Sequence, residues 1–98
     1  MKGRNDRRRE SYRHMDLKGL KEAAKTLTPI LRIGKSGLTD GVISEIDLQL
    51  KKNHLIKIKL LGSFRENNDR RDISSTISER TRSKIILQVG GVIVLFRK

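Results

Sequence analysis

The C-terminal stretch limits the possible folds more than any other part of the chain. Residues 84–97 read KIILQVGGVIVLFR, two apolar runs rich in Ile, Val and Leu on either side of Gly90 and Gly91. A two-residue Gly-Gly loop supplies the positive φ angles of a tight primed turn, so the runs are expected to pair as an antiparallel hairpin. Both are apolar at nearly every position, which places at least one of them centrally in a sheet. Residues 55–61, LIKIKLL, alternate instead. Ile56, Ile58 and Leu60 face one way and Lys57 and Lys59 the other, the pattern of a strand that puts positive charge on one sheet face.

Helical periodicity separates these strands. Asp16 is a candidate N-cap for a helix over 16–27, in which Leu17, Leu20, Ala23, Ala24 and Leu27 recur at helical spacing and Thr28-Pro29 ends the run. Ile30 to Ile33 is a short strand. Val42, Ile43, Ile46 and Leu50 form one stripe of a second helix from about Asp40 to Asn53, with Thr39 as its N-cap. Ile73 and Ile77 mark a third helix expected over 67–82, with a charged outer face. The order is α-β-α-β-α-β-β. Helical crossovers join parallel strands and a hairpin joins antiparallel ones, so the expected architecture is α/β with a four-stranded mixed sheet.

The 98 residues suit one domain, and the absence of cysteine excludes disulfides and thiolate metal sites. No apolar run approaches the roughly 20 residues of a membrane helix, and the basic N-terminus lacks the apolar stretch of a signal peptide. A soluble, cytoplasmic protein is expected. Charge says more: 23 Lys and Arg stand against 11 Asp and Glu, a formal net charge of +12. A small domain this basic suits a polyanion, since each neutralised phosphate releases counterions. The alternatives are a basic composition that serves only solubility and an attraction to acidic lipid surfaces. Residues 1–15, MKGRNDRRRESYRHM, carry six Lys or Arg, including Arg7, Arg8 and Arg9, and are read as a disordered basic arm ahead of a domain at 16–98.

Between the first strand and the second helix lies a G-x-x-G loop, Gly34, Lys35, Ser36 and Gly37. Two glycines flanking a cation and a hydroxyl let the backbone turn tightly and approach a partner closely. Loops of this shape, set between two elements of a basic α/β domain, clamp single-stranded RNA backbone in one class of binding module. As a plain turn the loop would need no function. Asp40, three residues on, would disfavour phosphate unless it serves the helix N-terminus.

Catalytic readings fail. Gly34-Lys35-Ser36 would end a nucleotide-hydrolase phosphate loop only if a glycine stood at position 29, which holds Pro29. His14 and His54 lack metal-ligand spacing and read as surface and turn histidines. Glu66, Asp69 and Asp72 stand among Arg65, Arg70 and Arg71, as on a solvated helix face with ion pairs. No enzyme, cofactor, metal site or small-molecule substrate is expected.

GKSGLTDGVISEID, followed by HLIKIKL and at the end by the glycine turn and VLFR, resembles the CRM domain, the chloroplast RNA splicing and ribosome maturation domain, in its stand-alone YhbY-like form. The resemblance spans about residues 16–98. It implies a two-layer α/β sandwich similar to the C-terminal domain of translation initiation factor three, with RNA bound through the G-x-x-G loop. Gly34, Lys35, Ser36 and Gly37 fall on the family's loop and Leu38, Thr39 and Gly41 on the positions after it. Lys57 and Lys59 lie in the matching basic strand, without a site role carried over. Phe96 stands where many relatives have Tyr.

Bacterial stand-alone members associate with precursors of the large ribosomal subunit, and plant members serve group II intron splicing. The resemblance therefore implies an RNA-binding protein of ribosome assembly whose partner is ribosomal RNA, and a monomer in solution is expected. Lys57, Lys59 and the arginines Arg7, Arg8 and Arg9 are expected to add salt-sensitive affinity. Rival readings are a permanent ribosomal structural protein, a general RNA chaperone or splicing-type module, an RNA-modifying enzyme and a DNA-binding protein.

Overall fold

The computed structural model describes residues 10–62 and 70–98. Its elements are α1 (Leu17–Ala24), β1 (Leu31–Ile33), α2 (Asp40–Asn53), β2 (Leu55–Leu60), α3 (Arg70–Thr81), β3 (Lys84–Val89) and β4 (Val92–Phe96). This is the expected α/β order. The start of α3 expected at residue 67 lies outside the described residues, as do Arg7, Arg8, Arg9, Glu66 and Asp69.

The four strands form one mixed sheet in the order β1-β2-β4-β3. β1 and β2 are parallel because α2 carries the chain back between them, whereas β4 runs antiparallel to both β2 and β3. Val89 pairs with Val92 across the Gly90-Gly91 turn, and Gly90 takes the positive φ of 57° that such a turn requires. Of the two apolar hairpin strands, β4 is the central one.

Alternation divides the core into two clusters on opposite sheet faces. Ile56, Ile58 and Leu60 of β2 and Ile93 and Leu95 of β4 pack with Ile43, Ile46 and Leu50 of α2 and Ile73 and Ile77 of α3. Their neighbours in sequence, Leu55, Val94 and Phe96, meet Leu20 and Ala24 of α1 together with Tyr12. An extra residue in β3, between Ile85 and Leu87, bulges the strand and lets Ile86 join this second cluster. The main layers are the sheet and the α2–α3 pair, and α1 covers part of the other face.

Residues 10–15 depart from the expected arm. Glu10, Ser11 and Tyr12 are helical, successive turn hydrogen bonds link Arg13 to Glu10, His14 to Ser11 and Met15 to Tyr12, and Tyr12 is only 5% exposed. Tyr12, expected in the arm, therefore packs into the core ahead of Asp16. A single large aromatic is enough to dock a short turn that carries little other apolar surface. Leu17, placed by periodicity in the buried stripe of α1, is 53% exposed; Tyr12 lies among the buried residues of that cluster and Leu17 does not.

The helix ends follow capping chemistry. Asp16 accepts a hydrogen bond from the Gly19 N–H at 2.8 Å, and Thr39 Oγ1 accepts one from the Val42 N–H at 3.1 Å. α1 ends at Ala24, short of the expected residue 27. Lys25, Thr26 and Leu27 donate to carbonyls three residues back, so the helix tightens before Pro29 ends it. At the other end of the chain, the Arg97 guanidinium contacts the Asp47 carboxylate at 2.6 Å and the Thr81 carbonyl at 2.7 Å, joining β4 to α2 and α3. We predict that Tyr12→Ala lowers stability by about 3 kcal/mol. Urea unfolding monitored by circular dichroism tests this, and an unchanged midpoint would show that residues 10–15 add nothing to the fold.

Candidate nucleic-acid interface

Parallel pairing of β1 with β2 brings their C-terminal ends to the same end of the sheet. The β3–β4 turn arrives there too, since the Leu60 N–H donates to the Gly91 carbonyl at 2.6 Å. The G-x-x-G loop extends from this end. The Gly37 N–H donates to the Gly34 carbonyl at 2.9 Å, closing a four-residue turn with Lys35 and Ser36 exposed at its corners.

The two glycines are needed for different reasons. Gly37 has φ 71°, in the left-handed region where a Cβ costs roughly 1–2 kcal/mol. A Cβ on Gly34 would lie 3.1 Å from Leu61 Cδ1, so the backbone here runs close under the end of β2. The loop's outward groups are thus one ammonium, one hydroxyl and backbone amides.

Beyond the turn, Thr39 caps α2 and Asp40 occupies its first turn. Asp40 is paired with Arg80 of α3 at 3.2 Å. A carboxylate that would repel phosphate is thereby offset by a guanidinium 40 residues away in sequence. No local pattern could have singled out Arg80.

Lys59 of β2 faces solvent on the sheet face opposite α2 and α3, directly beside Arg32 of β1. Lys57, one step further from the loop on the same face, is half-buried. The structure therefore brings Lys59 near the loop at Gly34–Gly37 and sets Lys57 farther back. Arg32 was missed in the sequence. It sits between Leu31 and Ile33, and the same alternation that oriented Lys57 and Lys59 was there to find it. His54 caps α2 with φ 68° and has Nδ1 3.0 Å from the Arg97 carbonyl oxygen, while exposed His14 lies 3.6 Å from Glu10. Both match their reading as turn and surface histidines.

The model of the CRS1/YhbY (CRM) domain family matches residues 14–97. The chain belongs to this family. A protein from Haemophilus influenzae, named an RNA-binding protein, is 36% identical over 78 residues, covering 80% of this CRM chain and 77% of its own. YqeI of Bacillus subtilis, whose name calls it a probable RNA-binding protein, is 33% identical over 79 residues, covering 81% and 80%. The solution structure of SAV1595 from Staphylococcus aureus superposes with a TM-score of 0.69 at 34% identity, covering 84% of this CRM chain and 83% of that one. These names describe RNA binding and no enzymatic activity. Among the described residues, no helix is long and apolar enough to cross a membrane.

The loop geometry predicts opposite outcomes for two nearby glycines. Gly37→Ala, forced into positive φ, should cost about 1 kcal/mol. Gly41→Ala, whose Cβ meets only Thr39 Oγ1 at 3.8 Å, should gain roughly 0.5 kcal/mol in the first turn of α2. Chemical denaturation of the two variants measures both, and equal effects would contradict the assigned turn.

Proposed function

We propose that this CRM-domain protein binds RNA through the Gly34–Gly37 turn and acts in the cytoplasm on ribosomal RNA during large-subunit assembly. The observation that carries the reading is the exposed Lys35-Ser36 corner, held by a glycine turn beside the sheet cation Lys59 and followed three residues on by an Asp40 already paired with Arg80. A sugar-phosphate backbone laid on the turn meets an ammonium, a hydroxyl donor and amide donors at close range. Lys59 and the half-buried Lys57 extend the positive field along the sheet, and Arg7, Arg8 and Arg9 add to it from the N-terminus. The names of the relatives support RNA as the polyanion.

Aromatic stacking contributes little to this mode of binding. Of the three aromatic residues, Tyr12 and Phe96 are in the core and Phe64 lies outside the described residues. Backbone and shape are then the features recognised, with little base sequence discrimination.

Titration of a large-subunit ribosomal RNA fragment and an unrelated RNA over a range of salt tests the proposal. Lys35→Glu, at an exposed position, should weaken binding to both RNAs by at least tenfold at 0.1 M salt, since it removes one phosphate contact and adds a repulsive charge. Unchanged affinity would make the G-x-x-G segment a plain turn. Sedimentation of a cell extract addresses the assembly role. The protein is expected with precursor particles and absent from mature subunits; its presence in mature subunits would make it a structural ribosomal protein instead.

A further inference from the structure

The pairing register sets four residues in one row across the sheet: Arg32 of β1, Lys59 of β2, Val92 of β4 and Val89 of β3. The row lies on the face shared with α1, at the margin of the cluster under that helix, against which Val92 packs. Val94, the next β4 residue on this face, is fully buried under α1, whereas Arg32 and Lys59 are exposed, Val92 is half-buried and Val89 is 62% exposed. The open part of the face therefore has two cations at one side and two aliphatic side chains at the other.

Arg32 and Lys59 stand directly opposite each other on neighbouring strands, an arrangement of like charges that destabilises a sheet. Neither has an ion-pair partner among the described residues. Folding alone gives no reason for this pair, while a polyanion lying across it would turn mutual repulsion into attraction. The pair also leads to the Gly34–Gly37 turn, since Arg32 is two residues before Gly34.

We infer that this row is a second RNA subsite that takes the single strand leaving the G-x-x-G turn, with phosphate on Lys59 and Arg32 and bases or riboses against Val92 and Val89. The inference rests on the RNA-binding reading above and adds the path of the strand. Single-stranded RNA is the occupant because it offers both chemistries at once, phosphate for the cations and unstacked base faces for the aliphatic side chains and the guanidinium plane. A duplex would meet the cations with its backbone and leave exposed Val89 uncovered.

The test compares Arg32→Gln, Lys59→Gln, Val89→Asn and Lys35→Glu in the full chain, by melting without RNA and by titration with single-stranded and duplex RNA. Removing either sheet cation should raise the melting temperature by roughly 1–5 °C at low salt, with the gain shrinking as salt screens the repulsion. The same two variants should each lose about fivefold in single-strand affinity at 0.1 M salt, with a salt slope shallower by about 0.7. Val89→Asn should weaken single-strand binding only. If Lys35→Glu loses affinity while the Arg32, Lys59 and Val89 variants keep it, the row is not a subsite and the loop reading stands. If the unaltered protein binds no RNA, or only an acidic peptide, the loop reading falls and the row inference with it. Equal losses on single-stranded and duplex RNA would overturn the assignment of a single strand.

Discussion

The antiparallel ladder between β2 and β4 is the constraint on which the rest of the molecule depends. Both strands bury side chains on both faces: Ile56, Ile58 and Leu60 with Ile93 and Leu95 toward α2 and α3, and Leu55 with Val94 and Phe96 toward α1. β4 is apolar on both faces, and β2 is apolar throughout on the α2–α3 face and at Leu55 on the other, burial that belongs at the centre of a sheet. The centre of the sheet is therefore fixed, and β1 and β3 are left to take its two margins. β1 is only three residues long and β3 is bulged, features that reduce edge-to-edge pairing with other chains.

The exposed cations on the sheet follow from a mismatch in length. α1 has eight residues, about 12 Å of helix, against the roughly 20 Å spanned by the six residues of β2. One short helix cannot cover that face. It seals the end at Leu55, Val94 and Phe96, helped by Tyr12, and leaves the end at Lys59 and Arg32 in water. Lys57 sits at the boundary and is half-buried. A longer α1 would bury charge without partners, which costs far more than the added apolar burial would contribute.

That open end coincides with the glycine turn because of the parallel β1–β2 pair. Both strands finish at the same end, so the loop after β1 and the cation near the end of β2 become neighbours without any direct interaction between them. The Asp40–Arg80 pair then offsets a nearby charge of the wrong sign. Exposed pairs of this kind contribute little to stability, about 0–1 kcal/mol; its effect here is on the local field.

The sequence by itself determined the element order, the antiparallel hairpin and the inward and outward faces of β2, because period-2 and period-3.6 patterns and a Gly-Gly turn are local properties of the chain. It also marked Gly34 to Gly37 as a turn and Thr39 and Asp16 as caps, which depend on neighbours within four residues. Only the tertiary structure decided that Tyr12 belongs to the core, that Leu17 does not, that Arg32 lies against Lys59 and that Arg80 reaches Asp40. Each of these joins residues through packing or strand register across a long stretch of chain. Such pairings arise when several elements close on one another, and a local pattern holds no record of which partner each side chain will meet.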